Sequence, residues 1–352
     1  MSVHDEILEQ PASAARLLRE GQADVEQIAD AIAGRLADRS VDHVVIAARG
    51  SSDHAALYAQ YVFGIHLRFP VALATPSVLS VYGVEPRFDR SLVIGISQSG
   101  ASPDIVGVIA AARRQGAPTI ALTNDVGSDL ATAAEHHLDL RAGPELAVAA
   151  TKTYVGELLA VAMLAAALEM RLGADADRVA ELAAVPAALE AVLASEPEAL
   201  EVAKRLAGRD RLIVVGRGYE YATAREFALK LKELARVSAD PYSAADFLHG
   251  PLALVEPGYP VIAIAPSGPT APDLDALLAR LGGLDVERIV VSDRSEALAA
   301  AELGIRLPAG IAEWLMPLVA IVPGQLLALH LAHVRGIDQE EPRWIHKVTL
   351  TN

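Results

Sequence analysis

Two tandem α/β domains, each a three-layer αβα sandwich with a parallel, flavodoxin-like sheet, are the fold class this sequence predicts. Three observations carry the prediction. Apolar strand-like runs alternate with helix-like runs along most of the chain, a spacing that calls for parallel pairing with helices on both faces. The segment VVIAARGSSDHA (44–55) returns as LIVVGRGYEYAT (212–223), with Arg-Gly at the same place in each turn. And 352 residues, of which 52 % are hydrophobic, suffice for two ordinary domains with cores of their own.

Taken in order, residues 1–40 read as N-terminal helices that are amphipathic and broken near Gly21-Gln22. The first domain, 41–173, opens with strand, Gly-Ser-Ser turn and helix (43–63), then a short strand and loop (71–83). Strand, Ser/Gly loop and helix follow over 91–116, further strands at 118–124 and 136–143, and a long buried helix over 147–173. Residues 174–201 form a polar-studded helical connector with breaks at Pro186 and Pro197. The second domain, 202–336, restarts the strand–turn–helix unit at 211–235. Strands are expected at 259–268 and 287–293, with a fifth at 304–308. A buried helical region, 314–336, closes it and is interrupted at Pro323-Gly324, and a tail spans 337–352.

Composition narrows the function. A net charge of −15 argues against nucleic acid or an anionic membrane as partner. A small anion is still compatible, because backbone N–H groups and a few cations can hold a phosphate on an acidic protein. Cysteine is absent, which removes disulfides, thiolate metal sites and thiol nucleophiles. No compact His/Glu metal spacing, P-loop, complete dinucleotide fingerprint or Gly-x-Ser-x-Gly elbow occurs, so neither metal nor cofactor is expected. The opening MSVHDEILEQ lacks secretory-signal character, and the longest apolar candidate, Leu158 to Leu168, is too short to span a bilayer. A cytoplasmic protein is expected.

Three places carry chemistry. In EFALKLKELARVSADPYSAADFLHGP (226–251), read as a helix followed by a short polar loop, Glu226, Lys230 and Glu233 share one narrow stripe at 100° per residue. His249 follows in a Leu-His-Gly-Pro loop. Carboxylate, ammonium and imidazole are the parts for moving protons on a small polar substrate, although an ion-paired helix and a turn histidine would read alike. Ser97-Gln98-Ser99-Gly100-Ala101-Ser102, between strand and helix, gathers hydroxyls, an amide and helix N-terminal N–H groups, as a phosphate site does. Gly50-Ser51-Ser52 offers a second such rim, and N-capping alone would also favour these residues. Lys347 lies near the chain end, where a lysine is ordinarily solvated, yet the apolar residues around it suggest a tail packed down.

SQSGASPD, VAATKTY, the GRG…EFALKLKE helix, SAADFLHGPLALVE and the tail DQEEPR…KVTL together resemble tandem sugar isomerase (SIS) domains. They are similar to the isomerase half of glucosamine-6-phosphate synthase over nearly the whole chain and, in wording, closer to stand-alone SIS-type glucosamine-6-phosphate deaminases. The resemblance implies a phosphorylated amino sugar bound by Ser51, Ser52, Ser97, Gln98, Ser99 and Ser102, with main-chain contacts from Val148. Glu233 would shuttle a proton between C1 and C2 beside Lys230, His249 would open the ring, and Lys347 would close the site from the tail. It also implies a homodimer in which His249 reaches the neighbouring subunit's site. Without a glutaminase domain or its cysteine, ammonia release from glutamine is not expected. Rival readings are a fructosamine-6-phosphate deglycase, a plain aldose–ketose isomerase and a non-catalytic sugar-phosphate sensor.

Overall fold

The structure is a computed structural model and describes residues 2–174, 178–339 and 344–347. Most of the tail motif, 340–343 and 348–352, lies outside the described residues. Three helices open the chain: α1 (Val3–Leu8), α2 (Gln10–Glu20) and α3 (Gln22–Ala37). A capping box starts α1: the Ser2 hydroxyl accepts from the Asp5 N–H and the Asp5 carboxylate accepts from the Ser2 N–H.

The first sheet follows. Strand β1 (His43–Ala47) leads into α4 (Ser51–Val62), then β2 (Val71–Leu73), β3 (Ser91–Ile96), α5 (Pro103–Arg114), β4 (Thr119–Thr123) and β5 (His136–Asp139). All pairings are parallel, in the order β2-β1-β3-β4-β5. Every residue of β3 and β4 is buried, which is why they read as continuous apolar runs instead of alternating ones. Helix α6 (Lys152–Arg171) packs against α3 and α4.

The chain continues through α7 (Arg178–Ala183), α8 (Val185–Leu193) and α9 (Glu196–Leu206). Pro186 and Pro197 sit in the first turns of α8 and α9, where the missing N–H has no intrahelical partner to lose. The second sheet comprises β6 (Arg211–Gly216), β7 (Ser238–Ser243), β8 (Pro260–Ile264), β9 (Glu287–Ser292) and β10 (Leu303–Arg306), again all parallel, in the order β10-β9-β8-β6-β7. Its helices are α10 (Glu220–Ala235), α11 (Ala244–Leu248), α12 (Ala271–Gly282) and α13 (Met316–Val334). The two parallel five-stranded sheets with flanking helices match the expected class.

Contacts divide the chain into two compact units. The N-terminal unit holds Ala12–Leu146, Lys152–Ala183 and the tail from Ile345; the C-terminal unit holds the segment through Pro11, Ala147–Thr151 and Ala184–Trp344. In both, the Arg-Gly turn is explained by backbone geometry. Gly50 (φ 58°) and Gly218 (φ 60°) adopt the left-handed region that turns a strand sharply into a helix.

Three expectations need correction. The polar loop expected after Ala235 is strand β7, paired along its length with β6. It is an edge strand, so Pro241 costs it no ladder partner. The long helix expected from residue 147 starts at Lys152, because 147–151 runs as a separate irregular segment. And α13 passes through Pro323-Gly324 without interruption. A Cβ at Gly324 would fall 2.3 Å from the Phe227 ring, so the glycine lets α10 approach closely. Segments 152–171 and 313–334 prove long and apolar enough for a membrane span, but 89 % and 94 % of their most apolar windows are buried. That burial is the mark of core helices.

Candidate active site

In the N-terminal unit two loops leave the carboxyl ends of adjacent strands. The β1–α4 turn carries Ser51 and Ser52, and the β3–α5 loop carries Ser97 through Ser102. Between β1 and β3 the strand order reverses, and such a switch point is where open α/β sheets bind ligands. An ion pair ties the loops together: Arg49 donates from Nε and Nη2 to Asp104 Oδ2 at 3.0 and 2.9 Å, with the Asp104 side chain fully buried.

Within the β3–α5 loop, Ser97 Oγ accepts from the Gly100 N–H at 3.1 Å and Ser99 Oγ from the Ala101 N–H at 3.3 Å. Backbone thus occupies lone pairs and leaves each hydroxyl proton to donate outward. Ser102 occupies the N-cap of α5 without a side-chain capping bond, and Pro103 follows it at the first helical turn. Gly100 (φ 62°) permits the tight path; a Cβ there would lie 2.3 Å from Ser128 Oγ. Hydroxyl donors, the Gln98 amide and a helix N-terminus therefore share one half-buried rim.

Ser52 behaves differently. Its hydroxyl is buried and donates to Glu157 Oε1 of α6 at 2.7 Å. In this arrangement it offers lone pairs to a sugar hydroxyl but no proton to a phosphate oxygen. Glu145, with a fully buried side chain, accepts from the Thr153 N–H (3.1 Å), Thr153 Oγ1 (2.7 Å) and Lys347 Nζ (2.6 Å). The partner of Lys347 thus lies 202 residues earlier in the chain.

In the C-terminal unit, α10 presents the carboxylate–ammonium stripe. Lys230 Nζ lies 3.2 Å from Glu226 and 2.6 Å from Glu233. The Lys230 and Glu226 side chains are fully buried, and the Glu233 side chain is 24 % exposed. A solvated ion-paired face is thereby ruled out. Burial alone would pull the Lys230 proton off, but Glu226 and then Glu233 outweigh it and hold the ammonium above the ordinary lysine range. Glu233 is the one member of the triplet whose side chain is partly exposed.

His249 caps α11 and is exposed, and among the described residues its ring makes no bond to Lys230 or Glu233. Val148 is half-buried in the segment 147–151, where the neighbouring Ala147 N–H donates to Glu6 at 3.1 Å.

The C-terminal unit repeats the rim but changes its charge. Arg217 pairs with Asp273 (3.0 Å) where the other unit has Arg49 with Asp104. The loop after β8, however, is filled by carboxylates. Asp293 accepts from the Ser267 N–H and hydroxyl, both at 2.7 Å, and Glu313 lies against Gly268. Glu220 starts α10 with both carboxylate oxygens buried and, among the described residues, no ion-pair partner. Burial, helped by Glu313 and Asp293, pushes it up to about 8. Carboxylates thus line this loop where the N-terminal unit presents hydroxyls. Among the described residues no cluster of three or more His, Cys, Asp or Glu is placed to hold a metal ion.

Sequence reading missed Glu145, Glu157 and the Arg49–Asp104 tie. The repeated Arg-Gly pair was the one available signal for the tie; no local pattern announces either glutamate.

The fold and rim define a class: a duplicated α/β protein with one hydroxyl-lined rim and one carboxylate-lined counterpart. The chain belongs to the SIS domain family, whose profile matches residues 39–167 and 205–335. It is 35 % identical over 348 residues to the isomerizing glutamine–fructose-6-phosphate aminotransferase of Thermococcus kodakarensis, covering 97 % of this chain and 56 % of that protein. The Methanothermobacter thermautotrophicus protein of the same name is 37 % identical over 311 residues, covering 87 % and 51 %. The chain thus spans about half the length of the curated relatives it matches. Among solved structures, a Silicibacter pomeroyi protein provisionally described as a phosphosugar isomerase superposes with TM-score 0.85 at 37 % identity, covering 96 % of this chain and 99 % of that one. The C-terminal domain of the Francisella tularensis glucosamine-fructose-6-phosphate aminotransferase superposes with TM-score 0.86 at 24 % identity, covering 96 % and 98 %, a likeness of fold.

Proposed function

We propose that this protein converts glucosamine 6-phosphate and water to fructose 6-phosphate and ammonia. The observation that carries the reading is the buried Glu226–Lys230–Glu233 triplet, in which only Glu233 is partly exposed. The phosphate is taken by Ser97, Gln98, Ser99 and Ser102, and Ser51, Ser52 and the Val148 backbone serve the sugar. His249 opens the pyranose. Glu233 then removes the C2 proton of the open-chain aldehyde as O1 gains a proton, giving an enolamine, and returns a proton to C1 as the C2 amino group gives one up. The product is the C2 imine, to which water adds before ammonia leaves. One carboxylate acts first as base and then as acid, so no second titrating group is required for the shuttle.

The family match and the names of the relatives support a phosphorylated sugar as substrate, and the hydroxyl-lined rim supports the phosphate as its anchor. The exposed position of His249 is what a homodimer sharing that histidine requires. Ammonia and fructose 6-phosphate should appear in equal amounts from glucosamine 6-phosphate with purified protein. Release of an amino acid from a 6-phosphorylated fructosamine, with no ammonia from glucosamine 6-phosphate, would move the reaction to deglycation.

A further inference from the structure

We infer that Glu145 is a positioning residue that seats the Lys347 ammonium. The inference rests on the reading above, in which Lys347 serves the reaction.

The geometry is specific. Glu145 stands just before α6 with its side chain wholly removed from water. A buried carboxylate is stable only when cations and hydrogen-bond donors replace its hydration. Two donors come from Thr153 in the first turn of α6, one of them a backbone N–H that the helix itself leaves unsatisfied. A positive charge comes from Lys347 at 2.6 Å. An ammonium has three donor protons. One is spent on Glu145, and the Lys347 side chain remains 22 % exposed, so the others can meet a ligand oxygen.

The chain separation of 202 residues gives the pair its meaning. The desolvated carboxylate of this pair is screened far less than a surface one. Thr153 fixes Glu145 from the helix side. The Lys347 ammonium is therefore held at a place set by α6.

Four proteins test this: wild type, Glu145→Gln, Lys347→Met and the double variant. The readouts are hydrogen exchange across 344–347 and kcat and KM for ammonia release from glucosamine 6-phosphate. Glu145→Gln should speed exchange in 344–347 several-fold, with Lys347→Met matching it, while the two sheets keep their protection. It should lower kcat about tenfold or more, and the double variant should be no slower than Lys347→Met alone. Unchanged exchange in both single variants overturns the inference. So does a double variant whose loss is the product of the two single losses, since Glu145 would then act independently of Lys347. Should the wild type release no ammonia at all, the proposed reaction fails, and the exchange data still decide whether Glu145 seats the lysine.

Discussion

At the scale of single residues, buried carboxylates do different work according to their partners. Glu226 is stabilised by Lys230, Glu145 by Lys347 and Thr153, and Glu157 accepts from Ser52. Glu220, buried with no ion-pair partner among the described residues, holds its proton to about pH 8 instead of the ordinary 4.5. A folded-state value above the unfolded one means that the unfolded chain releases this proton first. Stability from this group is therefore greatest at low pH and falls as pH rises between those two values. Glu220→Gln stays neutral throughout and should flatten that slope, gaining about 2–4 kcal/mol near pH 8 and little near pH 5. Denaturant unfolding at both pH values measures it; an equal gain at each would contradict the assignment. Of these groups, the spacing of Glu226, Lys230 and Glu233 was legible in the sequence because neighbours one and two turns apart must share a face. Glu145 and Glu157 were not, since Lys347 and Ser52 lie 202 and 105 positions away.

At the scale of elements, the strand–turn–helix units could be read because each sheet is covered on both faces and its strands are short apolar runs. Strand β7 escaped notice for the opposite reason: as an edge strand, SADPYS buries few side chains and keeps polar residues and a proline. Helices α6 and α13 are apolar all round, so periodicity said little about where they begin or whether a proline breaks them. The loop after β3 makes its own demand on backbone. Gly100→Ala places a side chain at φ 62° and a Cβ 2.3 Å from Ser128 Oγ. The variant should lose about 1–3 kcal/mol of stability and bind inorganic phosphate at least tenfold more weakly. Thermal melts and phosphate titration read the two effects, and an unaffected affinity would show that the loop does not hold the anion.

At the scale of the whole molecule, the internal repeat was plain from the two Arg-Gly turns, while the divergence of its halves was not. Composition cannot say that Asp293 reaches Ser267 or that Glu313 sits against Gly268, since both contacts depend on the completed second sheet. The consequence is countable. Calorimetric titration with inorganic phosphate should give one site per chain, and two equivalent sites would mean that the carboxylate-filled rim opens to anions. The most direct test of the account remains turnover by Glu233. Wild-type protein should release ammonia and fructose 6-phosphate from glucosamine 6-phosphate in equal amounts. Glu233→Gln should bind that substrate within a few-fold of wild type and turn it over at least a thousandfold more slowly, in keeping with loss of a group that transfers the proton. Near-wild-type turnover by Glu233→Gln would contradict the proton shuttle on which the whole reading depends.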